Sequence, residues 1–389
     1  DAVQDGRIIF SYSMGVPARS TPARDYQAFF NGEAEEFAQR ELGYWDQFNP
    51  ILFASIGNDY DAGNFNQDGS LELHSGRAME IGSAVWHEDG YWSIPDYSDI
   101  SAGGLLAPMT LRDGEVYEGT SFGAPYAGAT YRGLAATHGF ENGLGYDALT
   151  FAMLASTDRR VQAGPPFHRE DWVEYTTNAA GMPFHPRALS GVVNAERADL
   201  LAAEIRQVRE EHGLTDIPIR SRVEIEIDST NIGTRIGEEY VYRIAVPEVM
   251  TLSRLSLFLP QTEGAKSPIT LESPSGYTIT LPVADNGMVS TRAFLAEDIG
   301  VGSEFIIRTN TPLIDIEDHN NQPFIVFRGL EPGNTVAYMR DVMMQDGRML
   351  EPLSTINASD ITDVPVMSEE VNVQPVEQNL PSSVIGPRP

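Results

Sequence analysis

The chain has 389 residues, 41% of them hydrophobic and 9% aromatic, enough for two domains with cores of their own. With 56 acidic against 26 basic residues and a formal charge of -30, it is a poor match for nucleic acid or an anionic membrane surface. The absence of cysteine excludes thiol catalysis, disulfides and cysteine zinc sites, and no stretch reaches membrane-spanning length.

The opening stretch DAVQDGRIIFSYSMG carries neither an initiator Met nor a signal peptide, so a segment upstream of it is expected. Within it GRIIFSYSMG reads as a buried strand. A helix follows in DYQAFFNGEAEEFAQRELG, then strands in NPILFASIGN and GRAMEIGSAVW, with another near LLAP. Nearly continuous apolar strands joined by helical stretches are the order of an α/β domain with a buried parallel sheet. Helical patterns come next at Thr120–Thr137, Tyr146–Ser156 and Asn194–His212, the last beginning on an Asn cap.

Past HGLTDIPIRS the period changes. Short alternating runs (RVEIEID, YVYRIAV, LSRLSLFL, ITLES, YTITLPV and EFIIRTN) separated by Gly, Pro and Asn predict an all-β sandwich, with the boundary near Ile217. From about Pro352 the chain is rich in Pro, Val, Ser and acidic residues without periodicity, the pattern of a tail or linker. The expected parts are therefore 1–216, 217–351 and 352–389.

The chemistry concentrates in YEGTSFGAPYAGATYRGLAA, Tyr117–Ala136. Gly119 before Thr120 and Ser121 permits a sharp turn, and the following helix aims unpaired N–H groups and a positive dipole end at whatever the serine attacks. Pro125 falls in the first turn, where its missing N–H costs nothing, and the small residues behind it allow close packing. The same residues also fit a buried helix with a serine near its N-cap.

The stretch GTSFGAP resembles the serine motif of the subtilisin-like proteases, Gly-Thr-Ser-x-x-x-Pro. Four other segments resemble that family in the family's order. SYSMGVP supplies Ser13, Met14 and Gly15 as a cleft-lining strand end, FASIGN supplies Asn58, and GGLLAP supplies Ala107 and Pro108. Further on, WVEYTTNAAGMPFHPRALSGVVNAERA supplies Asn178, Gly181, His185, Gly191 and Asn194 in a pattern similar to the end of kexin- and furin-type catalytic domains. ITLESPSGYTITL, through Leu271, Ser273, Pro274 and Gly276, resembles the P domain of those enzymes, a jelly roll.

The resemblance implies a subtilisin-like parallel sheet with flanking helices, incomplete at the N-terminus, followed by a jelly-roll-like sandwich. It implies a secreted, periplasmic or cell-surface serine endopeptidase, with Ser121 as nucleophile and Asn58 as the side-chain donor of the oxyanion hole. Such chemistry needs an imidazole base and an acid to hold it. The family places both before the strand that SYSMG resembles. Asp1 and Asp5 lack the family's flanking pattern, and none of the seven histidines stands in the family position. The expected partners are a protein or peptide substrate and an upstream segment carrying Asp and His.

The stretch NDYDAGNFNQDGS places Asp59, Asp61 and Asp68 among Asn64, Asn66 and glycines, oxygen-rich enough for a structural calcium, although a solvated loop fits too. No cofactor is required for the chemistry. By resemblance to the kexin branch, Asp68-Gly69 would border a pocket for a basic side chain, but Ala18 and Arg19 stand where that branch tends to be acidic. A non-catalytic binding or structural protein on a decayed protease scaffold is the rival function.

Overall fold

The computed structural model describes residues 9–12, 51–58, 78–98, 104–109, 119–139, 143–163, 172–178, 180–185, 190–214, 221–227, 233–259, 267–281, 283, 288–291, 293–313, 323–330 and 332–348. The helix expected in Asp25–Gly43 and the tail expected from Pro352 lie outside the described residues.

The first half is built on a mixed six-stranded sheet. Its strands are β1 (Ile9–Tyr12), β2 (Ile51–Ser55), β3 (Ala78–His87), β4 (Tyr91–Ser93), β5 (Leu105–Pro108) and, after the helices α1 (Gly123–His138) and α2 (Tyr146–Ala155), β6 (Val161–Gln162). β1, β2, β3 and β5 pair in parallel, β4 turns back antiparallel on β3, and β6 runs parallel to β4. A small hairpin of β7 (Thr176–Thr177) and β8 (Pro183–Phe184) precedes α3 (Ala195–His212).

The close packing expected of the serine helix is realised. α1 lies against β1, β2, β3 and β5 through a face of Gly123, Ala124, Ala127, Gly128 and Tyr131. A Cβ on Gly123 would stand 3.0 Å from the Ile81 side chain and 3.1 Å from the Gly82 carbonyl, so only glycine lets the helix start this close to the sheet. The helix itself begins three residues later than Thr120, because Thr120–Phe122 forms a 3₁₀ turn.

The second half consists of β9 (Ser221–Glu226), β10 (Thr234–Ile236), β11 (Glu239–Ala245), β12 (Met250–Phe258), β13 (Ile269–Glu272), β14 (Thr278–Leu281), β15 (Met288–Thr291), β16 (Asp298–Ile299), β17 (Glu304–Thr309) and β18 (Phe324–Leu330). They form two antiparallel sheets, ordered β10-β11-β17-β13-β14 and β15-β12-β18-β9 with β16 beside β12. Residues from both sheets, among them Ile244, Leu271, Phe305 and Ile307 on one and Leu255, Leu257, Ile325 and Phe327 on the other, share a single buried cluster.

One element departs from the all-β expectation for 217–351. Thr335–Gln345 is a helix, α4, capped by the Asn334 side chain, which accepts from the Ala337 N–H at 3.0 Å. Its buried Val336, Met339 and Met343 join the core of the first half rather than that of the sandwich, packing with α2 and α3. The two halves are further tied by polar bonds. Arg254 of β12 is paired with Glu80 of β3, with 2% and 0% of their surfaces exposed. Asn178 donates to the Leu295 carbonyl at 3.0 Å, and the Arg340 guanidinium on α4 reaches the Ala296 carbonyl and Asp298.

Candidate active site

Parallel strands put their C-terminal ends on one side, where β2 gives way to Ile56, Gly57 and Asn58. Gly57 adopts φ 107°, a left-handed turn that swings Asn58 out of the sheet to an exposed position. Gly119 arrives with φ 115° and delivers Thr120 to the same place. The Asn58 Oδ1 accepts from the Thr120 N–H at 2.7 Å and from the Thr120 hydroxyl at 3.0 Å. That hydroxyl also lies 3.2 Å from the Gly57 carbonyl and accepts from the Gly57 N–H at 3.3 Å.

Thr120, fully buried, is therefore the hub that joins the two motifs. An N–H can only donate, so the oxygen of the Asn58 amide must be the atom that faces Thr120. Its Nδ2 group, the only donor of the side chain, is turned to the other side. A Cβ on Gly119 would lie 3.6 Å from that Nδ2, which places the amide directly against the turn that carries Ser121. Ser121 is half-buried in the 3₁₀ turn, one residue from the buried Thr120 and two before the first residue of α1, at the positive end of a 16-residue helix.

Sequence reasoning singled out Asn58 and Ser121 separately; the structure bonds Asn58 to Thr120, the residue before Ser121. Ser13, Met14, Gly15, Asp59, Asp61 and Asp68 lie outside the described residues. Ala107 is buried on β5, and Pro108 ends that strand. Asn178 folds its own turn, accepting from the Ala180 and Met182 N–H groups at 3.0 and 2.8 Å, while Gly181 and Gly191 take φ 74° and 119°. Asn194 caps α3 by accepting from the Arg197 N–H at 3.1 Å. The four described histidines are engaged elsewhere: His87 with Ser93 at 2.7 Å, His138 with Asp199 at 2.8 Å, His212 with Tyr338 at 3.0 Å, and His185 against the Tyr175 ring.

A charged cluster was not legible in the sequence as a unit, because Asp158 stands 36 and 39 residues from Asn194 and Arg197. Asp158 accepts from Arg197 Nη1 at 2.9 Å and from the Asn194 amide at 3.3 Å. Burial pushes the Asp158 carboxyl above its ordinary value, outweighing Arg197 and Asn194, and burial also lowers neighbouring Arg159 to about 10. A carboxyl whose pKa is raised on folding binds its proton more tightly in the native state. Its contribution to stability is complete below the unfolded value and is lost as pH rises through the folded one. Asp158→Asn should therefore remove a downward slope in stability just above the usual carboxylate range. Urea unfolding of both proteins across that range checks it; parallel curves would show that Asp158 does not titrate there.

No protein-family model matches the chain, and no curated protein matches it. Solved structures do match it, among them two of one bacterial serine protease. The crystal structure of the serine protease of Aeromonas sobria is 13% identical, covering 82% of this chain and 71% of its own, with a TM-score of 0.54. The same organism's protease in complex with the chaperone ORF2 is 12% identical, covering 83% and 71%, with a TM-score of 0.53. The chain thus shares a serine-protease-like fold over most of its length.

Proposed function

We propose that this chain is the serine-bearing part of a subtilisin-like endopeptidase. The observation that carries the reading is the clamp of Asn58 onto Thr120, which sets an amide donor beside a serine at a helix N-terminus. In this reading Ser121 Oγ attacks the scissile carbonyl and its proton passes to an imidazole. The oxyanion accepts from Asn58 Nδ2 and a backbone N–H at the start of the serine turn. The C–N bond then breaks, the amine leaves with the proton from the imidazole, and water hydrolyses the Ser121 ester to release the acid.

The imidazole and its Asp are assigned to a segment outside these 389 residues, in keeping with the described histidines' other engagements. We read 1–216 as the serine-bearing portion of the catalytic domain, 217–351 as a P-domain-like sandwich apart from α4, which packs on the first half, and 352–389 as a tail. The kexin/furin branch rests on the Leu271, Ser273, Pro274 and Gly276 turn and the Asn178 to Asn194 segment alone. Calcium in the Asp59, Asp61 and Asp68 loop and a basic-residue preference at Asp68 belong to the same proposal. So does an extracytoplasmic site of action; among the described residues no helix is long and apolar enough to cross a membrane. The chaperone bound to the Aeromonas sobria protease supports a protein partner for this chain as well.

A fluorophosphonate probe tests the reading. Applied to residues 1–389 and to the same chain co-expressed with its upstream segment, it should label only the second, and labelling should vanish in Ser121→Ala. Equal, strong labelling of the isolated chain would mean that a histidine within it serves as base. No labelling in either would leave the non-catalytic scaffold.

A further inference from the structure

The β3–β4 hairpin carries a surface that the fold does not need for its core. β3 is level with the end of β2 at Ile81, which pairs with Ser55, and then runs on to His87. Six further residues of strand extend about 20 Å. β3 stays paired with β5 as far as Ala84 and with β4 from Val85, so the hairpin tip lies beyond the C-terminal end of β2, the end that leads to Asn58.

One ring face of this hairpin is inward: Trp92 is buried and meets Trp86 edge-on at 4.9 Å. The other face is a ladder. His87 stacks on Tyr91 at 4.4 Å with planes 12° apart, Tyr91 meets the edge of Trp172 at 5.4 Å, and the Arg160 guanidinium sits 5.3 Å from the Trp172 ring centre. Trp172 is nonetheless 48% exposed. Exposed Glu88 and Asp89 form the hairpin turn, and exposed Glu174 follows Trp172 by two residues. Trp, Tyr and Arg are the side chains that dominate protein recognition, and a charged rim around them sets the sign of what docks.

We propose that the ladder of His87, Tyr91 and Trp172 is a second binding surface for the polypeptide substrate, taking a proline or aromatic side chain on Trp172 beside lysine or arginine facing Glu88, Asp89 and Glu174. A polypeptide is favoured because the ladder lies beyond the C-terminal end of β2, the end that leads to Asn58, and presents the side-chain types that anchor protein contacts. A cationic segment is favoured because, among the described residues of this surface, Glu88, Asp89 and Glu174 outnumber Arg160, on a chain of net charge -30. The proposal rests on the endopeptidase reading, but its test does not use turnover.

The experiment uses the Ser121→Ala protein and two synthetic dodecapeptides lacking tryptophan, one of repeated Lys-Pro-Phe and one with Glu in place of Lys. Binding is followed by calorimetry and by fluorescence of the protein's own tryptophans. The Lys peptide should bind more tightly than the Glu peptide, and Trp172→Ser should weaken it about tenfold or more, the loss expected for a truncated aromatic anchor. The exposed double change Glu88→Lys with Asp89→Lys should erase the preference between peptides, and it guards against a folding defect at Trp172. Equal affinity for wild-type and Trp172→Ser surfaces, or tighter binding of a neutral glucan than of either peptide, overturns the proposal. Fluorophosphonate labelling of Ser121 is independent of the ladder, so failure of one reading is distinguishable from failure of the other.

Discussion

Arg254→Ala is expected to destabilise the protein by about 3–5 kcal/mol, the usual cost of stranding one member of a buried ion pair. Glu80 is completely enclosed on β3, and its carboxylate is paired across the junction with Arg254 on β12. Without the guanidinium a buried negative charge has lost its partner, while a water-filled gap opens at the junction of the two halves. Glu80→Ala should cost a similar amount. The double change Glu80→Leu with Arg254→Met should recover most of the loss, because desolvation of the two charges offsets much of their attraction. Urea unfolding of the four proteins reads the coupling. Independent, additive losses would show that the pair does not join the halves. A second expectation follows from the same junction: with Leu295, Ala296, Leu330, Val336, Met339 and Met343 inside the first core, the two halves should unfold in one transition.

Asn58→Ala should lower kcat by about 10²–10³ with little change in KM, since an oxyanion donor is used more strongly in the transition state than in the ground state. The structure gives this expectation a mechanical basis. Thr120 holds the amide oxygen through both its N–H and its hydroxyl, which fixes the side chain's orientation and leaves Nδ2 to serve as the donor in the proposed reading. Asn58→Asp should be as damaging as alanine, because a carboxylate offers no donor and repels the oxyanion. Kinetics with a soluble peptide substrate, on the chain assembled with its upstream segment, decide the matter. An unchanged kcat in Asn58→Ala would remove Asn58 from the mechanism.

Much of this was legible from local signals. Continuous apolar runs announced β2 and β3, alternation announced β11, β13, β14 and β17, and the small residues behind Ser121 announced a helix pressed onto a sheet. Those signals depend on neighbours along the chain, and Gly-Thr-Ser needs only its own backbone to make its turn. Helix α4 was missed because its apolar residues face a core built by a distant part of the chain, and at 11 residues its period is short beside the surrounding strands. The Glu80–Arg254 pair was invisible for a related reason. In sequence each is a charged residue within a strand, and only the packing of the sandwich on β3 makes either one tolerable there. The sequence by itself determined most strand and helix types and, with Ser121 and Asn58, the residues on which the acyl-transfer proposal rests. The tertiary structure decided that Asn58 meets Thr120, the neighbour of Ser121, because 62 residues separate Asn58 from Thr120 and the packing of β2, β3 and α1 closes that distance to a hydrogen bond.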